Sequence, residues 1–116
     1  MTAVPAYSIT EADVVDPDGL RRYVELSSAA VHRYGGHYLV RGEPTAAEGT
    51  WPAARRLIVI AFPDMTALRA WYDSPEYAPA RAVAAGAVRR RVLFVEGTAE
   101  PAGVPDPHLV ENGGTR

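Results

Sequence analysis

The chain contains no cysteine, and that one absence removes a disulfide framework, a thiolate metal site, an iron–sulfur cluster and a cysteine nucleophile together. Lysine is missing too. All twelve basic residues are arginine, so no lysine Schiff base can form and covalent attachment of pyridoxal phosphate is excluded. No stretch approaches the roughly 18 apolar residues of a membrane span, and the N-terminus has neither the basic nor the apolar region of a signal peptide. The expectation is a soluble, cytoplasmic protein with no membrane partner. A glycine-rich phosphate loop, a dinucleotide fingerprint, an HExxH pair and a nucleophile-elbow serine are also lacking. His32 and His108 have no partners at metal-ligand spacing. The sequence therefore predicts no cofactor and no metal.

What remains is an ordinary globular composition. The 116 residues are 47% hydrophobic and 22% charged, enough for one core and too few for two. Twelve basic residues against fourteen acidic ones give a net charge of -2, which argues against nucleic acid as a partner.

Periodicity divides the chain into alternating elements. Pro5 to Val14 places Tyr7 and Ile9 on one parity and reads as a strand. Asp16-Pro17 then caps a helix whose Leu20, Val24, Ser27, Val31 and Tyr34 recur at three- and four-residue spacing. Gly35-Gly36 ends it, and His37 to Arg41 alternates as a second strand. A long loop covers Glu43 to Ala54. Arg56 to Phe62 is a nearly continuous apolar run, the pattern of a central strand buried on both faces. Asp64 caps a helix through Leu68, Trp71 and Tyr72, and Ser74-Pro75-Glu76 restarts a second helical segment to Ala87, with Pro79 in its second turn expected to remove one backbone hydrogen bond. Arg91 to Glu96 reads as the last strand. Residues 1–97 form the domain and 98–116, rich in proline and glycine, an extension beyond it.

The order β-α-β-β-α-β is that of the ferredoxin-like α+β motif, a four-stranded antiparallel sheet with its helices on one face. The other face needs a cover, and a second copy of the same chain is the simplest one. A homodimer follows as an expectation, its two sheets facing each other around a shared interior, as in a dimeric α/β barrel.

Several short segments carry a family resemblance. Pro5-Ala6-Tyr7, Asp16-Pro17, Gly35-Gly36 with Tyr38-Leu39-Val40-Arg41-Gly42, Glu48-Gly49-Thr50-Trp51, Phe62-Pro63, Trp71-Tyr72, Ser74-Pro75-Glu76-Tyr77 and Val95-Glu96-Gly97 together resemble the bacterial DUF1330 family. That resemblance implies the dimeric α/β-barrel superfamily, whose members include small cofactor-free isomerases, cyclases and oxygenases. Two positions depart from the family pattern: a usual glutamate is Ala61 and a usual arginine is Ala84. If the two residues pair in typical members, the pair is lost here.

Candidate chemistry rests on few side chains. His37 and Arg41 share a parity on the second strand, so they form the sharpest acid/base pairing, with the arginine fixing a carboxylate or an enolate. The plain alternative is a solvated strand end with Arg41 paired to a carboxylate. Tyr7 offers a phenol to a developing oxyanion. Trp71, Tyr72 and Tyr77 suit a pocket for a flat apolar ligand, though aromatics at helical spacing are more often core residues. Trp51 lies in a loop that serves either as a lid or as a dimer-contact arm. Arg56, with Arg55 and the run Arg89-Arg90-Arg91, either draws in an anion or forms a solvated sheet edge. The resulting expectation is a cofactor-independent enzyme performing cyclisation, isomerisation or dehydration on a small molecule, with His37, Tyr7 and Arg41 catalytic and Trp71, Tyr72, Tyr77, Trp51 and Arg56 binding. The competing expectation is a non-catalytic small-molecule-binding homodimer.

Overall fold

A computed structural model describes residues 4–99; the extension expected over 98–116 lies almost wholly outside the described residues. Four strands, β1 (Ala6–Val14), β2 (His37–Gly42), β3 (Arg56–Phe62) and β4 (Val88–Glu96), are joined by helices α1 (Pro17–Arg33), α2 (Met65–Tyr72) and α3 (Ala78–Ala87). The sheet is antiparallel throughout, in the order β2-β3-β1-β4. β3 is central, as its apolar run predicts, and shares that place with β1.

Local chemistry sets the boundaries. Asp16 caps α1 by accepting the Asp18 amide, with Pro17 at the first helical position. Gly35 takes a left-handed φ of 80° after α1, and the close approach of Gly36 to Phe62 leaves no room for a β-carbon. Asp64 Oδ1 accepts the Ala67 amide at 2.8 Å and starts α2. Replacing Asp64 by alanine is expected to cost about 0.5–2 kcal/mol, read as a lower urea midpoint with an unchanged slope.

Two boundaries differ from the sequence reading. The second helical segment begins at Ala78 and not at Ser74, so Pro79 falls in the first turn, where its missing amide breaks no helical bond. Buried Ser74 forms the joint instead, its hydroxyl donating to Trp71 O at 2.8 Å and accepting from the Tyr77 amide at 3.0 Å. β4 starts at Val88, three residues earlier than expected, because Val88, Arg90, Val92 and Phe94 already alternate with Arg89, Arg91 and Leu93.

The register separates two chemically distinct sheet faces. Ala6, Ser8, Ile60 and Phe62 turn toward the helices and, with Val31, Leu68, Trp71, Tyr77 and Ala80, form the core. Small residues on β1 let α2 approach closely. The opposite face carries no element among the described residues. One row across it runs Leu93, Ile9, Val59, Val40, and the next Val95, Tyr7, Ala61, His37. Leu93, Val95 and Val40 are each more than two-fifths exposed. At one end this apolar face turns ionic. Arg91 Nη2 donates to both carboxylate oxygens of Glu11 at 2.9 Å, and Arg55 clasps Asp13 at 2.9 and 3.0 Å, which holds the Asp13 carboxyl below its usual range.

Candidate functional site

The described chain forms a partly open cavity of about 110 Å3 on the helix side of the sheet. It lies within one chain, on the side of the sheet away from the open face where the sequence reading puts the interior shared by two copies. Its floor is built from Thr10, Ala12, Ile58, Ile60 and Val92. Leu20, Tyr23 and Val24 of α1 form the roof, and Trp71 and Tyr77 close one end. The space exists because β1 offers only Thr10 and Ala12 at the centre of the floor, while α1 packs chiefly on α3.

Polar groups in this apolar space converge on one place. The hydroxyls of Tyr23 and Tyr77 lie 2.7 Å apart, and Arg90 Nη1 donates to both at 3.2 Å. Burial raises the Tyr77 pKa well above its ordinary value, and Tyr23 beside it adds to the shift. The phenol thus stays neutral at physiological pH. Two phenols share one mutual hydrogen bond, so one hydroxyl hydrogen is left to donate to a ligand. Tyr38, also raised in pKa chiefly by burial, faces Ser27 at 3.4 Å. Trp71 is 1% exposed, and its Nε1 has no acceptor among the described residues. An orphan buried donor of this kind is costly. Such a group suits a cavity that receives an acceptor-bearing molecule.

The structure divides the sequence-predicted residues between the two faces of the sheet. His37 and Arg41 do not share a face. A β-bulge between Tyr38 and Val40 inserts Leu39, which shifts the alternation by one. Arg41 consequently lies opposite Ile58 on the cavity side, its guanidinium 4.2 Å from the Tyr38 ring centroid, whereas His37 lies opposite Ala61 on the open face. Tyr7 is also on the open face, its ring over Gly97, and does not line the cavity. Ala61 and Ala84 fall on opposite sides of the sheet, so within one chain they mark no common site.

Of the ligand-binding candidates, Trp71, Tyr77 and Arg56 line the cavity. Tyr72 does not; it sandwiches between Phe94, at 5.3 Å, and the Arg81 guanidinium, at 4.3 Å. Trp51 stays in its loop, with Nε1 donating to Arg55 O at 2.9 Å, and the loop 43–55 supplies no cavity residue. Tyr23 and Tyr38 are the residues that the sequence reading misses, and Arg90 enters it only as one member of a basic run. For Arg90 a signal exists, since it shares parity with Val88, Val92 and Phe94 inside what looks like a uniform basic run.

Among solved structures, RPA0582 of Rhodopseudomonas palustris, a protein of unknown function, superposes with a TM-score of 0.66 at 17% identity, over 84% of this chain and 85% of its own. SnoaB of Streptomyces nogalater, a cofactor-independent oxygenase, gives 0.61 at 14% identity over 87% and 98%. An uncharacterized NIPSNAP domain protein of Burkholderia xenovorans gives 0.54 at 14% identity over 87% and 99%. At these identities the likeness is one of fold, the ferredoxin-like α+β architecture. No curated protein matches the chain. The family model for the domain of unknown function DUF1330 matches residues 5–98, and the chain belongs to that family.

Proposed function

We propose that the protein is a cofactor-independent enzyme acting on a small, largely apolar organic molecule held between α1 and the sheet. The reaction is of the isomerisation, cyclisation or dehydration kind and passes through an oxyanion. The observation behind this reading is the Arg90, Tyr23 and Tyr77 cluster set in apolar walls. A guanidinium and a spare phenolic O–H in a water-poor space stabilise a developing enolate oxygen far better than they would in water. Among the described residues no carboxylate or imidazole lines the cavity. The chain's contribution is therefore orientation and charge stabilisation, while water at the open side of the cavity takes the proton from an acidic substrate carbon and returns it to the product. Arg41 serves at the rim. His37 and Tyr7 belong to the open face, through which two copies pair as a homodimer. That SnoaB is a cofactor-independent oxygenase supports the reading by analogy of fold.

The same absence of a lining base favours a second reading, a non-catalytic binding homodimer. One experiment separates the two. The purified protein is incubated with a bacterial metabolite extract, followed by native mass spectrometry of the complex and mass analysis of the solution over time. The expected result is a retained small-molecule mass together with depletion of one metabolite and growth of another. Arg90→Met is expected to slow the conversion by about 10²–10³, the usual effect of removing one oxyanion donor. Retention of an unchanged molecule supports the binder, and a chain that retains and converts nothing overturns both readings.

A further inference from the structure

The two faces of this sheet treat arginine differently. On the open face, Arg55 has Asp13 and Arg91 has Glu11, each within 3.0 Å. On the cavity side stand Arg41, Arg56 and Arg90, one from each of β2, β3 and β4, and none has a carboxylate within 4.0 Å among the described residues. The chain has fourteen acidic residues, so carboxylates are not scarce; none among the described residues lines this cavity. The register sharpens the point. Ala12 lies directly opposite Arg56 on one side and Arg90 on the other, which sets two cations about 10 Å apart at the backbone across a single methyl group. Arg90 is only partly exposed, and its side-chain partners are two neutral phenols. A half-buried positive charge without a counter-charge, beside others of the same sign, is unfavourable until an anion arrives. The polar groups on hand are nearly all donors, and the complement of a donor set is a group that only accepts.

We propose that the cavity takes an apolar monoanion, a carboxylic acid in its ionised form with a body about the size of one ring, its carboxylate over Ala12 between Arg90 and Arg56. The size follows from the cavity of about 110 Å3, below the roughly 150 Å3 of a closed cavity known to admit benzene, so one ring fills it and its carboxylate reaches toward the open side. A larger body has to displace Tyr38 and Arg41. Inorganic anions fit poorly, because the walls are aliphatic and aromatic apart from the arginines. This inference rests on the cavity being the site, the reading given under Proposed function.

The test is a two-dimensional amide NMR titration of the full chain with benzoate, with benzyl alcohol as its uncharged counterpart, and with inorganic phosphate. Benzoate is expected to move the Thr10, Ala12, Ile58 and Val92 amides and the Trp71 indole N–H, and to bind at least about tenfold more tightly than benzyl alcohol. Arg90→Met is expected to bring the two affinities together. Arg56→Gln, at an exposed position that folding does not depend on, is expected to narrow the gap as well. Equal or tighter binding of the alcohol to the wild-type chain overturns the anion inference and leaves the cavity as the site. Phosphate binding as well as benzoate at these same amides also overturns it, since the arginines then form a simple anion patch. If neither aromatic probe moves the cavity resonances, both this inference and the proposed site fall.

Discussion

Replacing Trp71 by alanine is expected to cost roughly 3–5 kcal/mol of folding stability, a large share of the 5–15 kcal/mol that such a domain has. The indole is wedged between Tyr77, at a centroid distance of 4.3 Å, and Phe62, at 5.1 Å, with Tyr72 edge-on at 5.9 Å. These rings come from β3, α2 and the joint to α3, so no single element can move in to refill the space. The void would also join the cavity already present. Trp71→Phe separates packing from polarity. It keeps an aromatic ring in the cluster while removing an Nε1 hydrogen that has no acceptor, and most of the stability should survive. Urea unfolding of the three proteins reads the effect. A loss below about 1 kcal/mol for Trp71→Ala would mean that the aromatic cluster is not the centre of the core.

Leu93→Asp is expected to convert a dimer into a folded monomer. Leu93 begins the row that crosses the open face through Ile9 and Val59 to Val40, and it is 47% exposed in the single chain. Folding should tolerate a carboxylate there. A two-fold interface is less forgiving, because the substitution appears in it twice and each unpaired charge is desolvated. At several kcal/mol per interface, the dissociation constant should rise by at least about a thousandfold. Sedimentation equilibrium is the measurement, with 12.5 kDa for one chain and twice that expected for the wild type. A wild-type chain that sediments as a monomer at micromolar concentration would falsify the homodimer, and circular dichroism guards against an unfolded variant.

The fold was legible because each strand and helix announces itself within a short window. Apolar alternation in β1 and β3, the Asp-Pro start of α1 and the paired glycines after it are local features with local causes. The site was less legible for the same reason. Tyr23 and Tyr77 meet across 54 positions, and no spacing rule brings α1 to the start of α3. Arg90 is hidden by its neighbours Arg89 and Arg91, whose likeness in type conceals that alternate members face different compartments. His37 and Arg41 illustrate the opposite error. Strict two-residue periodicity pairs them, and one extra residue undoes it.

That extra residue, Leu39, has a wider consequence. Downstream of Leu39, the bulge and not residue identity decides which compartment a side chain enters. Removing Leu39 would straighten the strand and leave Arg41 on the cavity side, whereas keeping Leu39 in a regular, unbulged strand would turn Arg41 to the open face and Val40 inward, with no change of any chemical group. In this chain, forming or losing the bulge is thus a means of moving a positive charge from one side of the sheet to the other. Parity read straight across Leu39 assigns every later residue of the strand to the wrong face.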